Sequence, residues 1–153
     1  MSQGEAVTAI AFHFNIPDKL GYACRLLRKA VRQGVPVGVV GGERQLAELD
    51  RALWSFDPVD FVPHASIADG SPRVPSRVAT RTRLWLARRA HDLPHRSVLV
   101  NIGVEVPDGH EAFERLIELV ASDEDDRLAG RQRWKHYQGA GHPIERHEVG
   151  LSG

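Results

Sequence analysis

Ala6-Val7-Thr8-Ala9-Ile10-Ala11-Phe12-His13-Phe14 and Val35-Pro36-Val37-Gly38-Val39-Val40 frame a helical run from Leu20 to Gln33, and these segments together decide the fold. The first segment is β-branched and apolar with few polar interruptions, the pattern of a buried strand. Asn15-Ile16-Pro17-Asp18 breaks it and offers a helix cap. Within the run, Ala23, Leu26, Leu27, Ala30 and Val31 recur at helical spacing. Gly34 suits the C-terminal cap, and the valine-rich segment after it reads as a second buried strand. Strand, helix and strand at this separation form a βαβ unit, which calls for parallel pairing and a right-handed crossover.

Outward from that unit, Glu43 to Trp54 reads as a helix with Leu46, Leu49 and Leu53 on one face. Phe61 to His64 is a short extended piece, and Ile67 to Ser76, with Gly70, Pro72 and Pro75, is a loop. Thr80 to Ala87 reads as an edge strand, and Ser97 to Ile102 as the clearest strand after the first two. Asp108-Gly109-His110 opens a predicted helix in which Phe113, Leu116, Ile117 and Val120 fall at i, i+3, i+4 and i+7. The acidic run Ser122 to Asp126 suits the start of a last helix, which continues to about Gln138 and ends at Gly139-Ala140-Gly141. Ile144 to Val149 is either a final strand or a loose tail. Alternating strands and helices predict a single three-layer α/β domain over residues 1–153, with about 142–153 as the segment that could be a tail.

A chain of 153 residues is long enough for one full core. At 42% hydrophobic and 26% charged residues, its composition is that of an ordinary globular protein. Twenty basic residues balance twenty acidic ones, so the chain lacks the basic footprint of an autonomous DNA binder. The single cysteine, Cys24, excludes an internal disulfide and suits a reducing cytoplasm. No signal segment and no apolar run near the roughly 20 residues of a membrane span is present. A cytoplasmic location is the expectation.

Candidate chemistry is sparse. Gly38-Val39-Val40-Gly41-Gly42 lies between a strand and a helix, where phosphate loops sit. It lacks the Lys-Ser/Thr pair of a P-loop and does not fit GxGxxG spacing. Eight histidines (His13, His64, His91, His95, His110, His136, His142, His147) are scattered, with no metal-binding spacing. Cys24 lies on an apolar helix face and reads as a core thiol. Asp123 to Asp126 reads as a solvated helix start. His64 reads as a turn-fixing side chain, and the least elaborate enzyme hypothesis makes it a base beside a nucleotide or phosphate held at Gly41-Gly42.

The last helix carries more. Arg127 and Arg131 are four apart, Trp134 and Lys135 follow one turn later, and all four fall near one face. A cationic stripe beside an aromatic suits a nucleic acid, a membrane surface, or an acidic peptide with a hydrophobic end. The membrane option lacks a broad apolar face, and one exposed aromatic is a poor stacking platform for DNA.

Several segments resemble the DNA polymerase III chi subunit family. The likeness is strongest in Leu49-Asp50-Arg51-Ala52-Leu53-Trp54, in Phe61-Val62-Pro63-His64, and in the closing helix Arg127 to Tyr137 with its Gly-Ala-Gly end. Ala23-Cys24-Arg25-Leu26 and Lys29-Ala30 also look like the family's first helix. The resemblance implies a Rossmann-like fold without nucleotide binding and without cofactors. It implies a non-catalytic clamp-loader adaptor that holds the acidic, phenylalanine-terminated tail of single-stranded DNA-binding protein and meets DNA only through that partner. It further implies docking on the psi subunit or an equivalent clamp-loader component, and on a repair-type helicase through the same surface. Carried onto this chain, the tail site is Val120, Arg127, Arg131, Trp134 and Lys135. Arg131 would take the terminal carboxylate, Val120 and Trp134 would wall the ring, and Arg127 and Lys135 would meet the upstream aspartates. The psi site would involve Trp54 and Phe61.

Overall fold

The computed structural model describes residues 8–55, 65–66 and 83–150. Strands β1 (Ala9–Ile16), β2 (Val37–Val40), β3 (Ala65–Ser66), β4 (Leu84–Ala87), β5 (Val98–Asn101), β6 (Arg115–Ala121) and β7 (Ile144–Glu148) form one sheet in the order β3-β4-β2-β5-β6-β1-β7. Every pairing among them is parallel. Helices α1 (Lys19–Arg32) and α2 (Glu43–Ser55) cover one face, and α3 (Glu124–Gly139) the other. The result is the three-layer, Rossmann-like α/β architecture.

Alternation along each strand builds two cores. Val37, Val39, Leu84, Leu86, Val100, Ile117 and Leu119 pack beneath α1 and α2 with Cys24, Leu27, Leu46, Leu49 and Leu53. Their neighbours Ile10, Phe12, Trp85, Leu99, Leu116 and Val120 pack on the other face with Phe113 and Tyr137. Gly38 permits that second layer: a Cβ there would lie 2.3 Å from the Leu93 side chain.

The strand, helix and strand of the first unit form as read, but the expected pairing is corrected: β1 and β2 run parallel in one sheet with β6 and β5 between them. Asp18 caps α1, its carboxylate accepting the Gly21 N–H at 3.1 Å, and Gly34 turns the chain at φ +73°. The first strand runs further than expected, through Asn15 and Ile16. Asn15 sits at φ 59° where the β1–β6 register shifts, so it bends the strand without ending it.

Two further expectations are corrected. Residues 115–121 are a strand, and the helix expected from Asp108 shrinks to a short 3-10 turn at His110–Ala112. A parallel strand covered on both faces is apolar throughout, so its residues also satisfy a helical template by coincidence. The strand within 80–87 occupies Leu84–Ala87 and is interior, flanked by β2 and β3. Of the two readings of Ile144 to Val149 the structure has the strand, with Ile144–Glu148 at the sheet edge beside β1. Phe61 to His64 and Ile67 to Ser76 lie outside the described residues.

Candidate functional site

Helix α3 is seated on the sheet by polar contacts. Asp123 caps it, accepting the Asp126 N–H at 3.1 Å. The Asp126 carboxylate accepts from the Ala121 N–H at 2.6 Å and from Lys19 Nζ at 3.0 Å. Part of the acidic run expected to be solvated is therefore a tether between β6, α1 and α3. Gly130 then lets the helix approach closely, because a Cβ there would lie 2.9 Å from Val120 Cγ2.

One turn later the inward face is charged. Arg133 is 1% exposed and Glu118, on the centre of β6, is 0% exposed. Arg133 Nε donates to Glu118 Oε1 at 2.8 Å, and its Nη1 to the Val104 carbonyl at 3.0 Å. Asn101 Nδ2 reaches both Glu118 oxygens at 3.0 and 3.1 Å, and the Tyr137 hydroxyl donates to Oε2. Burial pushes the Glu118 carboxyl up, while the Arg133 guanidinium and the Tyr137 and Asn101 donors pull it back. Burial also raises the Tyr137 phenol, with the Glu118 charge adding to it. Arg133 Nη2 is left unpartnered.

This seating turns Arg127, Arg131 and Trp134 toward a surface cavity of about 670 Å³, with Val120 and Gly130 also in its lining. Trp134 is half-buried and packs edge-on against Phe12, ring centroids 5.2 Å apart. It therefore forms a wall of the cavity instead of standing bare on a charged face. Lys135 is exposed and does not line the cavity. At 3.6 residues per turn it sits roughly 80° around the helix from Arg127.

The rest of the lining comes from the sheet. Phe12, Phe14 and Asn15 belong to β1, and Arg146 and Glu148 to β7. The Arg146 guanidinium lies 5.4 Å from the Phe14 ring centroid and 5.9 Å from that of Trp134. Glu148 is held by Asn15 Nδ2 at 3.1 Å. Three guanidiniums thus border an aromatic floor that contains one carboxylate. Among the described residues no carboxylate pairs with Arg127, Arg131 or Arg146.

The Gly41-Gly42 turn lies at a second cavity, of about 390 Å³, at the C-terminal ends of β2 and β5. One of its donors is engaged internally. Gly42 N–H donates to Gln45 Oε1 at 2.8 Å, and Glu43, in the first turn of α2, faces Arg88 at 3.4 Å. His64 lies outside the described residues, and Cys24 is buried in the core.

Trp54, at the end of α2, is 55% exposed, whereas Leu53 beside it is 1% exposed. Phe61, its expected companion, lies outside the described residues.

Comparison with known proteins adds a family. A family model described as "DNA polymerase III chi subunit, HolC" matches residues 7–145. A Pseudomonas aeruginosa protein named DNA polymerase III subunit chi is 35% identical over 132 residues, covering 86% of this chain and 87% of its own length. Proteins of the same name from Haemophilus influenzae and Escherichia coli are 30% identical over 129 residues and 28% over 121. They cover 84% and 77% of this chain, and 85% and 77% of their own lengths.

Proposed function

The chain belongs to the DNA polymerase III chi subunit family, and from that premise we propose that it is a cytoplasmic, non-catalytic adaptor of the bacterial replicative polymerase. In this reading it bridges the clamp-loader assembly to single-stranded DNA-binding protein by holding that protein's acidic C-terminal tail. One observation carries the proposal: guanidiniums without carboxylate partners among the described residues border an aromatic-floored cavity. Cations left unpaired around apolar surface suit an anion attached to a hydrophobic group. Arg131 would receive the terminal carboxylate, with Val120 and Trp134 against the terminal ring.

Trp54, exposed at the end of α2, supports a second contact with a psi-like clamp-loader component, and a repair-type helicase would use the same surface. The enzyme alternative at Gly41-Gly42 has no comparable support, since the Gln45 side chain already takes the Gly42 N–H.

Calorimetry with an acidic peptide ending in Asp-Phe tests the reading. Micromolar binding that weakens as salt rises is expected. Arg131→Ala should weaken it about thirtyfold, on the order of 2 kcal/mol. No binding by the wild type at low salt would sink the proposal.

A further inference from the structure

We propose that Arg146, on the edge strand β7, is the specificity-determining residue that reads an acidic side chain upstream of the ligand's aromatic terminus. This deepens the tail-binding reading and rests on it.

The two walls of the cavity come from different elements. Arg127 and Arg131 stand on α3, and Arg146 on β7. A ligand whose sole anion is its terminal carboxylate can neutralise the α3 wall and leaves Arg146 unanswered. A ligand with a second carboxylate a few bonds back along the chain meets both. Lys135, which the family resemblance makes a partner of upstream acids beside Arg127, does not line the cavity, and Arg146 does.

The geometry of Arg146 suits the task. Its guanidinium rests near the faces of Phe14 and Trp134, at 5.4 and 5.9 Å from the ring centroids. Stacked in that way, a planar guanidinium keeps its N–H groups at the edge, available to a carboxylate in bidentate fashion. The rings hold the side chain in position before a ligand arrives, which lowers the ordering cost of binding. The strand's anion on the cavity side, Glu148, is held by Asn15 at 3.1 Å and makes no ion pair with Arg146.

The experiment compares two synthetic peptides, Gly-Gly-Asp-Asp-Gly-Phe and Gly-Gly-Asn-Asn-Gly-Phe, both with free C-terminal carboxylates. Each is titrated into the wild type, Arg146→Ala, Arg146→Lys and Arg131→Ala at low salt. Arg146→Ala should weaken the Asp peptide about tenfold, the scale of one charge-assisted contact, and leave the Asn peptide within about twofold. Arg131→Ala should weaken both peptides alike. Arg146→Lys keeps the charge and should bind the Asp peptide within about threefold of the wild type. If Arg146→Ala binds the Asp peptide as the wild type does while Arg131→Ala loses it, the role of Arg146 is overturned and the tail reading stands. Equal losses for both peptides in both Arg146 variants would make Arg146 a packing residue and overturn the role too. A wild type that binds neither peptide removes the tail reading, and this inference with it.

Discussion

Arg133→Met isolates the ionic seat of α3. Methionine matches the arginine stem in length and polarity, so little packing is lost. What disappears is the 2.8 Å contact to Glu118 Oε1 and the 3.0 Å contact to the Val104 carbonyl. Glu118 is 0% exposed, and losing one partner of a buried pair costs about 3–5 kcal/mol. Asn101 and Tyr137 still donate to the carboxylate, which puts the expected loss near the lower limit, about 3 kcal/mol. With an unfolding entropy of about 2.1 cal/mol/K per residue, that loss lowers the melting midpoint by about 9 °C. The deficit should depend on pH. Without the guanidinium, burial raises the Glu118 carboxyl further. A raised acid contributes stability below its unfolded value and loses it as pH rises. The deficit should therefore be smaller at pH 5 than at pH 8. Glu118→Gln added to Arg133→Met should restore part of the loss, because no charge then remains buried. Urea unfolding followed by far-UV circular dichroism at both pH values measures all three quantities. A deficit under about 1 kcal/mol, or losses from the two substitutions that simply add, would refute the reasoning.

Gly130→Ala gains about 1 kcal/mol of helix propensity but drives a Cβ to 2.9 Å from Val120 Cγ2. Overpacking of that kind costs about 1–3 kcal/mol, so urea unfolding should show a net loss and calorimetry weaker peptide binding. Burial lowers His13 to about 4, with the neighbouring His147 and Arg115 charges adding to the effect. The unfolded chain takes up that proton first, so stability should fall as pH drops from about 6.5 to 4; with His13 only half-buried, screening limits the loss to about 1–2 kcal/mol. His13→Gln should flatten that part of a melting-temperature profile. Glu148→Gln removes the one carboxylate that lines the cavity among the described residues and should tighten an acidic peptide about twofold in a low-salt titration.

The parts of the fold governed by neighbours in sequence were legible. Asp18, the helical face of α1 and Gly34 obey rules that span at most a few residues. Strand β6 was misread for a physical reason. Leu116-Ile117-Glu118-Leu119-Val120 is buried on both faces, so neither a period of two nor one of 3.6 is imposed on it. The role of Glu118 is out of reach of local rules because its partners, Asn101 and Arg133, lie 17 and 15 residues away. The candidate site divides along the same line. Arg127, Arg131 and Trp134 share one helix, where a fixed angular step groups them. Phe12 and Phe14 alternate onto one strand face and were readable as a pair. Arg146 joins them only because β7 pairs with β1, where Phe12 meets Arg146 across the ladder. No local rule contains that pairing.

The rotation of helix α3 is set by charge more than by apolar surface. Its inward positions are Gly130, Arg133 and Tyr137, which form no apolar stripe, so the hydrophobic effect alone specifies its rotation weakly. The Arg133–Glu118 contact and the close approach at Gly130 supply what is missing. Rotating the helix by one residue, roughly 100°, would drag Arg133 off a carboxylate that has no water to turn to and force a side chain onto Val120. The buried ion pair is thus better understood as a register device than as a source of stability. Once that register is set, Arg127, Arg131 and Trp134 have no choice but to face the cavity. The Arg133→Met experiment bears on function for this reason: if the pair fixes the rotation of α3, peptide affinity should fall in that variant even at temperatures where the chain remains folded. Unchanged affinity in the folded variant would mean that Gly130 and the Lys19–Asp126 tether suffice to aim the helix.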